Sequence, residues 1–133
     1  MHMIRAHDVS YDRLKVFLEK NQTVDKVNLL KNGYVVEIQD EIEGCFILEM
    51  MREGEYWLKQ LFITKEHAAM LPVLLEAILT LAKQQRAIVV YVHSYQPVVD
   101  ILLEALQFHP QKEKDFVDKH EINKGNWWSY SVS

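Results

Sequence analysis

Six histidines, one cysteine and a scatter of carboxylates are the side chains of this sequence whose types could do chemistry. His2, His7, His67, His93, His109 and His120 contain no HxH or HExxH pair, the spacings that bring two imidazoles onto one metal ion, so no metal centre is expected. Cys45 has no second cysteine to form a bridge or a CxxC motif. Its run, Gly44-Cys45-Phe46-Ile47-Leu48, makes it a small apolar strand residue with no neighbouring cation to activate it. No serine stands in a nucleophile elbow, and four glycines build no phosphate loop. What remains is acid–base chemistry: Glu49, Glu55, Glu66, His67 and His93 could accept a proton from an amine if their surroundings brought their pKa values toward neutrality. His93, which ends an apolar run, also has the position of an ordinary hydrogen-bonded structural histidine.

The elements that must position these residues follow from periodicity. Met3 to Ala6 reads as a short opening strand. Asp8 or Ser10 then offers a cap to a helix running to about Lys20, with Val9, Leu14, Phe17 and Leu18 on one face. Asn21 to Asn32 is a loop or a second short helix carrying Val24, Val27 and Leu30. From Gly33 the pattern turns to strands: Tyr34 to Gln39, a turn at Asp40-Glu41, Gly44 to Met51, a turn at Arg52-Glu53-Gly54, and Glu55 to Ile63. In the last of these Tyr56, Leu58, Gln60 and Phe62 alternate with Trp57, Lys59, Leu61 and Ile63. Three strands joined by short turns make an antiparallel meander.

Between Pro72 and Gln85 a helix is predicted whose Glu76, Thr80 and Lys83 form one narrow solvent stripe. Ala87 to Val92 is continuously apolar, as a strand covered on both faces should be, and a helix between two such strands implies a parallel crossover. Pro97 opens a further helix to about Leu106, with Val98, Ile101, Leu102, Ala105 and Leu106 as its apolar side. Asn126 to Val132 closes the chain as a strand. In it Trp127 and Trp128 point to opposite faces, so that one of them could be exposed. Large rings at Trp57, Tyr91, Tyr95, Trp127 and Trp128 pack a sheet or line a groove.

Composition agrees with one folded domain over residues 1–133: 49% of the residues are hydrophobic and 26% charged, and a chain of this length buries roughly two-thirds of its unfolded surface. Fifteen Lys and Arg against nineteen Asp and Glu give a net charge of −4. The cations are dispersed and form no stripe, so nucleic acid is not an expected partner. The mixed charges from Gln111 to Lys124 read as a solvated face. Met1-His2-Met3-Ile4-Arg5 leads into polar sequence, and the apolar stretch from Ala68 to Leu79 is broken by Pro72 and Glu76; neither a leader nor a membrane span is expected, and the lone thiol suits a reducing cytoplasm.

The order of elements, with Phe62-Ile63-Thr64-Lys65-Glu66-His67 leading into Leu74-Leu75-Glu76-Ala77-Ile78, resembles the acyl-CoA-dependent GNAT acetyltransferases from about Tyr34 to Phe108. Val89-Val90-Tyr91-Val92-His93, followed by Ile101-Leu102-Leu103-Glu104-Ala105-Leu106-Gln107-Phe108, is similar to that family's fifth strand and the helix ending in its Leu-Gly-Phe signature. Trp127 to Val132 fits its closing strand. The resemblance implies an α/β (α+β) domain with a mixed sheet, an antiparallel β meander followed by a β-α-β crossover, and helices on both faces. It also implies acetyl-CoA or another acyl-CoA as donor, a small-molecule or protein amine as acceptor, and either a monomer or a homodimer. Leu61, Phe62 and Ile63 would offer backbone bonds to the pantetheine arm, Ala69, Met70 and Leu71 would lie at the pyrophosphate, and Gln96 would replace an asparagine often found before the later helix. His93 would face the acyl group.

Against the family pattern the sequence departs at the chemistry. The segment Ala68-Ala69-Met70-Leu71-Pro72-Val73 has neither the glycines nor the basic residue of the family's phosphate-binding loop, and it is about two residues shorter. Pro72 brings no N–H, which removes a donor from any anion cradle. Leu103 stands where many members carry a tyrosine that protonates the leaving thiolate, and Gln107 replaces the signature glycine. His67 could return some positive charge to the loop. No catalytic residue is assigned, and two functions follow: a GNAT-like acyltransferase with impaired activity, or a catalytically inactive member of that fold acting as a binding or protein-interaction module.

Overall fold

The computed structural model describes residues 1–111 and 125–132, which build a mixed α/β structure with a seven-stranded sheet of order β1-β2-β3-β4-β5-β7-β6. The strands are β1 (His2–Arg5), β2 (Gly33–Ile38), β3 (Glu41–Arg52), β4 (Glu55–Ile63), β5 (Val89–Ser94), β6 (His109–Gln111) and β7 (Asn126–Ser131). The helices are α1 (Tyr11–Lys20), α2 (Lys26–Asn32), α3 (Leu71–Gln84) and α4 (Pro97–Ala105). Short 3-10 helices occupy Ala6–Asp8 and Lys65–Met70. The chain forms two compact units. One comprises Met1–Glu49 with Lys59–Leu71, the other Met50–Leu58 with Pro72–Ser133, and β3 and β4 run through both.

In the first unit β1 pairs antiparallel with β2, and β2 with β3. The expected meander is present with shifted turns. Gln39 and Asp40, at φ 53° and 65°, make a two-residue hairpin whose left-handed conformation matches strand twist, so β3 starts at Glu41, before the anticipated Gly44. Gly44 lies close against the backbone of β4: a Cβ there would meet the Phe62 carbonyl oxygen at 2.5 Å. The apolar faces of α1 and α2 close over Val35, Cys45 and Ile47, burying Ala6, Leu14, Phe17 and Leu29, and Phe17 meets Phe62 at 6.1 Å between ring centroids.

One expectation fails here. Ser10 occupies the cap position of α1, but neither it nor Asp8 caps the helix through a side chain. The cap that does form is at α2, where Asp25 accepts from the Asn28 N–H at 3.1 Å. That start sets the rotation of α2 so that Leu29 is buried and Val27 is 77% exposed.

Cys45 is fully buried, and burial pushes its thiol up to about 12. The unfolded thiol ionises near 9 while the folded one does not, so the folded state binds more protons above that pH. Its contribution to stability is complete below pH 9 and declines as the pH rises from 9 toward about 12. At pH 8 the folded protein should react with a thiol reagent at a small fraction of the rate seen in denaturant, because burial keeps the folded thiol protonated and out of reach. Equal rates in the two states would contradict the burial.

In the second unit β4 and β5 are parallel, in register from Glu55↔Val89 to Leu58↔Val92, with α3 as the crossover. Glu76, Thr80 and Lys83 are exposed as the periodicity requires, and Leu74, Leu75, Ile78 and Ala82 are buried. Ala87 and Ile88 precede the strand instead of starting it. β7 lies between β5 and β6, which buries both Trp127 and Trp128. Trp127 joins Trp57 and Tyr91 in a cluster. β6 was not foreseen; three residues around Pro110 give too little pattern to read.

The apolar side anticipated for α4 is displaced by one residue. Val98 and Ile101 are 76% and 69% exposed, whereas Leu103 is fully buried with Val99, Leu102 and Leu106 half-buried beside it. Asp100 explains the rotation: its carboxylate accepts from Trp128 Nε1 at 2.7 Å and from Asn126 Nδ2 at 3.0 Å, which ties that side of the helix to β7. Just past the helix Gln107 takes φ 70°, and the Phe108 N–H returns to the Leu103 carbonyl at 2.9 Å. That is the left-handed ending in which glycine is the usual residue.

Candidate functional site

The cofactor residues anticipated at 61–63 and 69–71 belong to the first unit, at successive positions along β4 and the segment that follows it. β4 is not a regular strand. Gln60 has φ 51°, a left-handed conformation rare for a residue with a side chain, and it interrupts the alternation expected on either side of it. Two contacts fix Gln60. Gln60 Oε1 accepts the Asp25 N–H at 2.8 Å, and the Gln60 carbonyl lies 3.7 Å from Cys45 Sγ. The register with β5 ends at Leu58, and the strand continues five residues further, to Ile63. Leu61, Phe62 and Ile63 are each half-buried there.

Beyond β4 the chain is fixed by Glu43 on β3. Its carbonyl accepts the Thr64 N–H at 2.8 Å, and its carboxylate accepts Thr64 Oγ1 at 2.8 Å with His67 Nε2 at 4.0 Å. His67 thus stands beside a carboxylate. Glu49 is similarly engaged, taking Lys59 Nζ at 3.1 Å and Asn28 Nδ2 at 2.9 Å. Neither Glu43 nor Gln60 carries a local sequence signal; they emerge only once β3 and β4 are side by side.

The start of α3 offers few amide hydrogens. Ala69 is exposed, Met70 and Leu71 are half-buried, and the Leu71 N–H is bonded back to the Ala68 carbonyl. Pro72 has no N–H. Two of the first three residues of α3 therefore present no amide hydrogen to a ligand.

The remaining candidates lie elsewhere. Glu66 is exposed. Glu55, His93 and Gln96 are in the second unit: Glu55 Oε1 accepts the Tyr91 hydroxyl at 3.2 Å, and His93 packs against Tyr95 and Trp127 at ring distances of 4.4 and 4.8 Å. Gln96 heads α4 without a side-chain cap bond, its N–H donating to Ser94 Oγ at 3.2 Å. Among the described residues no group of three His, Cys, Asp or Glu side chains could hold a metal ion, and no helix is long and apolar enough to cross a membrane. His120 and most of the charged stretch after Gln111 lie outside the described residues.

No protein-family model and no curated sequence matches the chain. Solved structures do. An acetyltransferase of the GNAT family from Staphylococcus aureus Mu50 superimposes with a TM-score of 0.71 at 13% identity, covering 99% of both chains. Rv2747 from Mycobacterium tuberculosis, solved in complex with CoA, gives 0.76 at 12% identity over 98% of this chain and 99% of that one. N-acetylglutamate synthase from Neisseria gonorrhoeae, complexed with coenzyme A and N-acetyl-glutamate, gives 0.74 at 11% identity; 99% of this chain matches 35% of the larger protein.

Proposed function

We propose that this chain, which has the fold of the GNAT acetyltransferases, is a single cytoplasmic domain that binds acetyl-CoA or another acyl-CoA weakly and transfers the acyl group slowly to an amine. The observation that carries this reading is the run of β4 past its register with β5, with Gln60 in a left-handed conformation. Main-chain groups of Leu61, Phe62 and Ile63 would hold the pantetheine arm, residues 69–71 would lie at the pyrophosphate, and Gln96 would contribute an amide. In the transfer the amine nitrogen forms a bond to the thioester carbonyl carbon, the C–S bond breaks, and the amine proton passes to solvent. The departing thiolate takes its proton from water, because the aliphatic, fully buried Leu103 has none to give.

A second reading, a binding module without catalysis, is favoured by the same Leu103 and by the spent or missing N–H groups at Leu71 and Pro72. Thermal unfolding with acetyl-CoA, CoA and longer acyl-CoAs separates the two. A ligand present at a hundred times its dissociation constant stabilises by about 2.7 kcal/mol. Stabilisation is expected with millimolar acyl-CoA and not with micromolar. None at any concentration would leave only the second reading.

A further inference from the structure

The first unit contains a pocket lined by no residue of β4. With a volume of about 520 Å³ it opens between the 3-10 helix at Ala6–Asp8, α1 and α2, within the size range of small-molecule sites. Its floor is apolar. Ala6 and Leu14 are buried beneath it, and Val9, Leu18 and Leu30 are partly exposed in its walls. The mouth carries the opposite sign to the chain as a whole: Lys15 and Lys26 line it against one carboxylate, Glu19, on a protein of net charge −4. Lys26 is held at this edge, its Nζ 5.8 Å from the centre of the exposed Tyr11 ring. His7, also at the rim, is 3.3 Å from Asp8.

We propose that this pocket binds a small amphiphilic monoanion, an apolar chain lying along Val9, Leu18 and Leu30 with its acidic head at Lys15 and Lys26. The apolar floor supplies affinity without direction, since burial of apolar surface is non-directional. The two ammonium groups supply the selection for charge. A cation of the same chain length meets both lysines, and a neutral alcohol gains from neither. Medium-chain carboxylates are the simplest ligands of this kind.

The test uses decanoate, decanol and decyltrimethylammonium, all below their aggregation concentrations, titrated into the full chain with methyl chemical shifts recorded. Decanoate should shift Leu18 and Leu30 and bind tighter than decanol, with the cation weakest. The double variant K15E/K26E changes exposed residues and should retain the fold. It should weaken decanoate by about tenfold or more, since two attractive charges are replaced by repulsive ones. Decanol should be unaffected, and the response to acetyl-CoA should be unchanged, so that this site and the acyl-CoA reading stand or fall separately. Affinities that ignore head-group charge, a double variant that binds decanoate as before, or shifts confined to other methyl groups would each overturn the proposal.

Discussion

Replacing Leu75 or Ile78 by alanine is expected to destabilise the protein by about 2 to 5 kcal/mol, a loss comparable with the whole stability of many domains. Both side chains are fully buried on α3. Truncating either removes apolar surface from the interior and leaves a cavity that rigid neighbours fill only in part. The same helix supplies a control: Val73 is 53% exposed, and Val73→Ala should change stability by no more than about 0.5 kcal/mol. Urea unfolding followed by circular dichroism measures all three. A near-zero loss at Leu75 and Ile78, or an equal loss at Val73, would mean that the buried face of α3 has been misplaced.

Substituting Pro72 by arginine should tighten acetyl-CoA binding by about tenfold to a thousandfold. Pro72 is exposed at the second position of α3, where a loop built for phosphate would present an amide and a cation. The substitution restores both. Charge-assisted hydrogen bonds contribute about 1.5 to 3 kcal/mol each and every 1.4 kcal/mol is tenfold, with solvent exposure holding the gain to the lower part of the sum. Pro72→Ala returns only the N–H and should give a smaller gain. Gln84→Arg, at the far end of α3, should give none. Equal improvement from the two arginines would show general charge attraction and not repair of a cradle.

Much of this architecture was open to reading because its elements alternate or repeat cleanly. β4 was bounded correctly from Glu55 to Ile63, and the three polar residues of α3 gave its orientation directly. α4 could not be oriented in the same way. Its only polar side chains after Pro97 are Asp100 and Glu104, so nearly every face is apolar, and the deciding interaction comes from Trp128, twenty-eight residues away in sequence. In α2 the spacing singles out Val24, Val27 and Leu30, yet Leu29 is the residue the helix buries. The site was harder still. Pro72 and Leu103 could be recognised as departures from a family pattern, and Gln107 adopts the glycine-like conformation that the pattern implies. The positive φ at Gln60 had no such signal, because glutamine has no preference for it. What holds it there is a side-chain bond to the backbone of Asp25, a contact that exists only after folding.

Calorimetric titration of the unaltered protein with acetyl-CoA tests the central claim most directly. One site is predicted, with a dissociation constant of about hundreds of micromolar or weaker, as follows from losing two phosphate contacts. Low-micromolar binding at pH 8 would contradict the account of a depleted cradle, and an absence of heat at millimolar acetyl-CoA would contradict the assignment of an acyl-CoA ligand.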